Sequence, residues 1–194
     1  MVGAVSVARH KQHPLNLQEI KMALRQVRTM GDPILEKRSK EVTQITDRTR
    51  ELIDDMFETL YDQNGVGLSA VQVGVLKRIV VVDVSEDEDD PIVMINPVIR
   101  ESDGEQEGYE GCLSVPGKTG KVKRPNHVIV DFLDEDLNPQ SMEGEEVFAR
   151  CICHECDHLE GKLYVERVDG PLQDMDDVQE EQQNRRKKKK KIKK

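Results

Sequence analysis

The stretch Cys151–Gly161, CICHECDHLEG, packs three cysteines, two histidines and two glutamates into eleven residues. Such side chains bind transition metals and move protons. On an α-helix, with about 100° of turn and about 1.5 Å of rise per residue, His158 lies about 40° around from His154 and one turn along. The two imidazoles then share a face, as the H-E-x-x-H pattern requires for a zinc-like ion. Cys153, near about −100°, and Cys156, near about 200°, point elsewhere. They read as small core residues. Cys151 lies on the metal face, but an ion between the histidines would sit roughly 7.5 Å farther along the axis, beyond reach of a bond of about 2.3 Å. The helix therefore supplies two ligands. Cys112, in YEGCLSVPG, is the one cysteine outside it. A His₂Cys set with one open position makes a catalytic centre rather than a closed structural one.

These residues need elements to hold them. Residues 144–160 contain no Gly or Pro after Gly144 and are long enough for the helix. Residues 47–62 place Leu52, Ile53, Met56, Phe57, Leu60 and Tyr61 at helical spacing with charges opposite, an amphipathic helix packed on a core. The turn signal Asn64-Gly65 ends it. RIVVVDV at 78–84, PIVMINPVI from 91 and HVIVDFLD from 127 read as strands, and EDEDD at 86–90 as an exposed loop. Strands followed by a late helix predict an α+β fold rather than alternating βαβ units.

The 194 residues suffice for one compact domain. No apolar run approaches membrane-spanning length, so no membrane partner is expected. Aromatics are 3% with no Trp, so the core must rest on Val, Ile, Leu and Met. Four cysteines, three of them crowded beside histidines, suit a reducing compartment and metal chemistry better than a disulfide framework. Residues 1–21 read as a disordered or vector-derived leader. The lack of acidic residues before Glu19 leaves a transit peptide as the alternative. The domain then runs over 22–170, and 171–194 form an acidic then polybasic tail with too little apolar material to fold alone. Nine of the last ten residues, RRKKKKKIKK, are basic, although the whole chain carries −9.

Three segments carry a resemblance. GVGLSAVQVG (65–74), EGCLS (110–114) and HECDHLEG (154–161) resemble the three signature motifs of the peptide deformylases, in the family's order and at similar spacing. GDPIL at 31–35 resembles the family's start. The likeness covers about residues 22–170. It implies antiparallel β-sheets around a central helix bearing HExxH. It also implies hydrolytic removal of the formyl group from formyl-methionine of nascent polypeptides, with Fe²⁺ as the usual metal and Zn²⁺, Ni²⁺ or Co²⁺ as substitutes. Two positions depart from the family: Ser69 stands where Ala is general, and Cys153 where Gln precedes the first metal histidine.

Cys112, His154 and His158 are then the expected metal ligands. Glu155 would take a proton from the attacking water and deliver it to the leaving amine. The resemblance assigns the Gln72 side-chain amide and the backbone N–H of Leu113 as donors to the oxyanion. Gly67 and Gly111 would border an extended substrate added as a strand at 65–67 and 109–111. Val66 and Cys151 would line the methionine pocket, with an inert core role as the alternative for Cys151. Asp157 and Arg124 are expected to pair in support of the ligands, the alternative being a surface aspartate.

The basic tail would contact ribosomal RNA, or else be a solvated segment without a dedicated partner. Formylated initiation points to a bacterial cytoplasm, with an organelle as the lesser option. Two other functions fit parts of the pattern: a different HExxH peptidase, and a non-enzymatic ribosome-binding relative that keeps the metal for stability.

Overall fold

The computed structural model describes residues 23–85 and 87–192, with backbone alone for residue 182 and for 185–192. The expected leader, 1–21, lies outside the described residues. Helix α1 spans Asp47–Asp62. The Thr46 side chain caps it by accepting from Thr49 N–H. Its apolar stripe, Leu52, Ile53, Met56, Phe57 and Leu60, is buried. Each such side chain contributes about 1.5–3 kcal/mol on burial.

The stripe packs on a five-stranded antiparallel sheet. Its members are β1 (Gly67–Ser69), β2 (Ile79–Val82), β3 (Ile92–Asp103), β6 (His127–Leu133) and β7 (Pro139–Glu145), in the order β1-β2-β3-β6-β7. Alternation along β2 splits the core. Ile79 and Val81 join the α1 side, whereas Val80 and Val82 join Val128, Val130, Ala149 and Ile152 on the other. That second layer is built on helix α2, Glu146–Leu159.

On its far side α2 meets a second antiparallel sheet, β4 (Gln106–Cys112), β5 (Val115–Arg124) and β8 (Gln173–Asp174), in the order β4-β5-β8. The α+β architecture expected from the sequence is the observed one. Strands β4 and β5 were not legible because four glycines and a run of lysines break their apolar alternation. Strand β7 has no fully buried residue. It takes 139–145 and so starts the helix at Glu146 rather than 144.

The packed chain continues past residue 170. Strand β8 pairs with β5, and Val178 of helix α3 (Met175–Ile192) is buried. The tail thus adds its first turns to an existing surface. Among the described residues no helix is long and apolar enough to cross a membrane.

The end of α2 is fixed sharply. Gly161 N–H donates to His158 O at 3.0 Å and Lys162 N–H to Asp157 O at 2.9 Å. Gly161 has φ +74°, the left-handed turn that such an ending needs. A Cβ there would also lie 2.5 Å from the Glu36 carbonyl oxygen. Gly161→Ala is therefore expected to cost about 1–3 kcal/mol from backbone conformation alone, with the clash adding to it. Urea denaturation measures this, and an unchanged midpoint would contradict the account.

Candidate metal centre and active site

Strand β4 carries Glu110 and Cys112 two residues apart, on one face. A register shift between Gly111 and Cys112 re-aims the thiol at the strand's end. From α2, His154 and His158 meet it. One ligand atom from each of Cys112, His154 and His158 lies within 4.8 Å of the others. Cys112 Sγ is 3.2 Å from His158 Nε2 and accepts from Ser114 N–H at 3.4 Å. Cys151, Cys153 and Cys156 are outside the cluster. The first two belong to the core beneath α2 and Cys156 packs against it.

The cluster fits a divalent ion. His154 uses Nδ1 on the Glu110 carboxylate at 2.9 Å, which turns its Nε2 toward the thiol. Both histidines are buried. Burial, helped by the charge on His154, keeps His158 well below its ordinary pKa and therefore neutral. Burial also opposes charge on His154, but Cys112 and Glu110 outweigh it and hold this group up at about 10. A proton and a metal ion would compete for that imidazole. Sulfur with two imidazoles is a donor set that suits iron or zinc.

Around the ligands the structure places the remaining expected residues. Gln72, buried in the 3-10 turn Ala70–Val73, has its Oε1 fixed by Ser69 N–H at 2.8 Å. Its Nε2 therefore points the other way, donating to Ser114 Oγ at 3.1 Å and reaching within 3.5 Å of Cys112 Sγ. Leu113 lies between Cys112 and Ser114 and packs toward Gly65. Glu155 is 4% exposed. Burial raises its pKa, against the lowering effect of His154 and of a hydrogen bond from Ser69.

A Cβ on Gly67 would lie 2.7 Å from Cys151 Sγ and 2.8 Å from Glu155 Oε1. The glycine is thus required by the side chains behind it. Gly111 is bordered by Met175. Cys151 donates its thiol to Val66 O, while the Val66 side chain is exposed.

The family model for polypeptide deformylase matches residues 24–174. The peptide deformylase of Agathobacter rectalis is 62% identical over 161 residues, 82% of this chain and 100% of that one. The peptide deformylase of Lachnoclostridium phytofermentans is 54% identical over 154 residues, 79% of this chain and 94% of that one. The chain belongs to the peptide deformylase family. A crystal structure of a peptide deformylase from Legionella pneumophila matches 76% of this chain and 87% of its own, with TM-score 0.74 and 43% identity. One from Synechococcus elongatus in complex with actinonin matches 75% and 81%, with TM-score 0.73 and 42% identity.

In this deformylase the expected Arg124–Asp157 pair forms, with side chains 3% and 13% exposed. Four partners escaped the sequence reading: Glu110, Arg150, Arg167 and Tyr164. Glu110 receives both Arg124 Nε and Nη2, at 2.9 and 3.0 Å, and Arg150 Nη1 at 2.9 Å. Arg167 adds two bonds to Asp157. Tyr164 stacks on His154 with centroids 5.9 Å apart. The i, i+2 spacing of Glu110 and Cys112 on a strand was the available signal for Glu110. Arg150 and Tyr164 offered none.

Burial favours the neutral acid at Glu110, but hydrogen bonds from His154 and Arg124 hold its pKa at about 2. It stays ionised across the physiological range. Glu110→Gln keeps the shape but takes the anion from Arg150, leaves Arg124 with Asp157 alone and weakens the hold on His154. Metal affinity measured by chelator competition is expected to fall about 10–100-fold. An unchanged affinity would contradict this role.

Proposed function

We propose that this chain removes the formyl group from the N-terminal formylmethionine of nascent polypeptides, as a metal-dependent hydrolase that releases formate. The observation that carries this reading is the meeting of three motifs at one buried point. Cys112, His154 and His158 form the ligand set, Gln72 Nε2 reaches the Cys112 thiol, and Glu155 follows His154 on α2.

Cys112, His154 and His158 would hold the ion, and we favour Fe²⁺, with Zn²⁺, Ni²⁺ or Co²⁺ as substitutes. When bound, a divalent ion supplies Lewis acidity and makes a water acidic enough to react near neutral pH. The chain does the rest. Glu155 removes a proton from the attacking water and returns it to the departing amine. Its raised pKa suits a group that must both accept and give a proton near neutrality. Gln72 Nε2 and the Leu113 N–H stabilise the oxyanion. A neutral amide suits this task because it donates at every pH. Losing one such donor typically costs on the order of 10²–10³ in rate.

Substrate entry follows from two sheet edges. Strand β1 ends the larger sheet and β4 ends the smaller one. An extended formyl-methionyl peptide would pair along 65–67 and 109–111, beside Gly67 and Gly111. Val66 and Cys151 would flank the methionine side chain. Arg124 and Asp157 support the ligands through Glu110, which holds His154.

The reaction belongs in a bacterial cytoplasm, where formylated initiation supplies the substrate. The basic end of the chain, 185–194, would bring the enzyme to ribosomal RNA through phosphate contacts.

Metal-loaded protein should release formate from a formyl-methionyl peptide without cutting internal bonds. Glu155→Ala should keep its metal and lose turnover. Internal cleavage, or full activity in that variant, would overturn the reading. Truncation after Asn184 should weaken cosedimentation with ribosomes, most at low salt. Equal sedimentation of both forms across a salt series would remove the ribosome from the account.

A further inference from the structure

The Ser69 hydroxyl is fully buried against the catalytic glutamate. Ser69 is 0% exposed, so no solvent competes for its proton. Its Oγ lies 2.7 Å from Glu155 Oε2 and 3.1 Å from the Glu155 carbonyl oxygen. A hydroxyl has one proton to give, and the shorter, charged contact is the stronger one. Among the described residues no hydrogen bond is made to Oε1. That oxygen instead faces the space left by Gly67, where a Cβ would stand only 2.8 Å away. The neighbouring Cys151 thiol is turned to Val66 O at 3.5 Å and so is not aimed at the carboxylate.

The same residue reaches the oxyanion side of the site. Ser69 N–H donates to Gln72 Oε1 at 2.8 Å. One residue of β1 therefore touches both the base and the amide, through its side chain and its main chain respectively. Alanine would keep the second contact and lose the first.

We propose that Ser69 is a positioning residue whose hydroxyl pins Oε2 of Glu155 and so makes Oε1 the oxygen that carries the proton. This rests on the deformylase reading above. During turnover the water O–H bond breaks as the bond to Oε1 forms, and the water oxygen bonds to the formyl carbon. The same proton then passes to the amine nitrogen as the bond from the formyl carbon to nitrogen breaks. Ser69 keeps its own proton throughout. Without the hydroxyl, the carboxylate can rotate, and only part of its population presents an oxygen in the productive direction.

The test uses full-length, metal-loaded enzyme and a formyl-methionyl tripeptide, with kcat, KM and metal content measured for wild type, Ser69→Ala and Ser69→Cys. Ser69→Ala removes only the hydroxyl, keeps the main-chain contact to Gln72 and should fold. A thiol refills the space but is a weak donor, so it separates packing from hydrogen bonding. Both variants should lose about tenfold in kcat, the order expected for one hydrogen bond to a charged group, with KM and metal content unchanged. Wild-type kcat in both variants would overturn the proposal. So would full kcat in Ser69→Cys alone, since packing would then suffice, or a loss of bound metal that accounts for the fall. A wild type that releases no formate would instead sink the deformylase reading itself, and the proposal with it.

Discussion

The Glu110 carboxylate sits where β4, β5 and α2 meet, with its side chain 3% exposed. A lone anion at such a depth would be costly, by several kcal/mol even after the protein relaxes. It is tolerated because Arg124, Arg150 and His154 all donate to it. The dependence runs both ways. Arg124 is equally buried and without the carboxylate would keep Asp157 alone as its anion. Removing one partner from such a network costs about 3–5 kcal/mol. The small sheet has few apolar residues to hold it against α2, so this polar contact does work that a hydrophobic seam does in the larger sheet. The same contact sets His154, and through it the direction of the metal site.

Mechanical support and chemistry are therefore divided between two sides of one helix. The core below α2 is dry, built from Val80, Val82, Val128, Val130 and Ile152. It fixes the helix axis. The other side is polar and rich in ion pairs, and it fixes side-chain directions. The charged pairs on that side have their partners in other elements: Asp157 with Arg124 and Arg167, Glu110 with Arg150 and His154. The left-handed ending at Gly161 then stops the helix one turn beyond the second ligand.

How far the sequence carried this picture depended on local pattern. Helix α1 was legible to the residue because its apolar stripe and its turn agree. The metal face of α2 was legible from helix geometry alone, including which cysteines point away. Cys112 was reached by elimination, as the one cysteine outside the helix, and the resemblance then placed it in a signature motif; nothing local says how its segment folds onto the helix. Strands β4, β5 and β7 were hidden because their stability comes from pairing and from ions rather than from alternating apolar residues. Gly67 was expected to make room for substrate. The structure shows a second demand on it, from Glu155 and Cys151 behind the strand. Arg150 could not be singled out, because an arginine on a helix is ordinarily a solvated charge.

The central claim is that one thiolate from β4 and two imidazoles from α2 make a single coordination shell. X-ray absorption on the zinc-loaded protein tests it directly. The account predicts one sulfur at about 2.3 Å and two imidazole nitrogens at about 2.0–2.1 Å, with the sulfur lost in Cys112→Ser. A shell of nitrogen and oxygen only, or one whose sulfur survives that substitution, would contradict it.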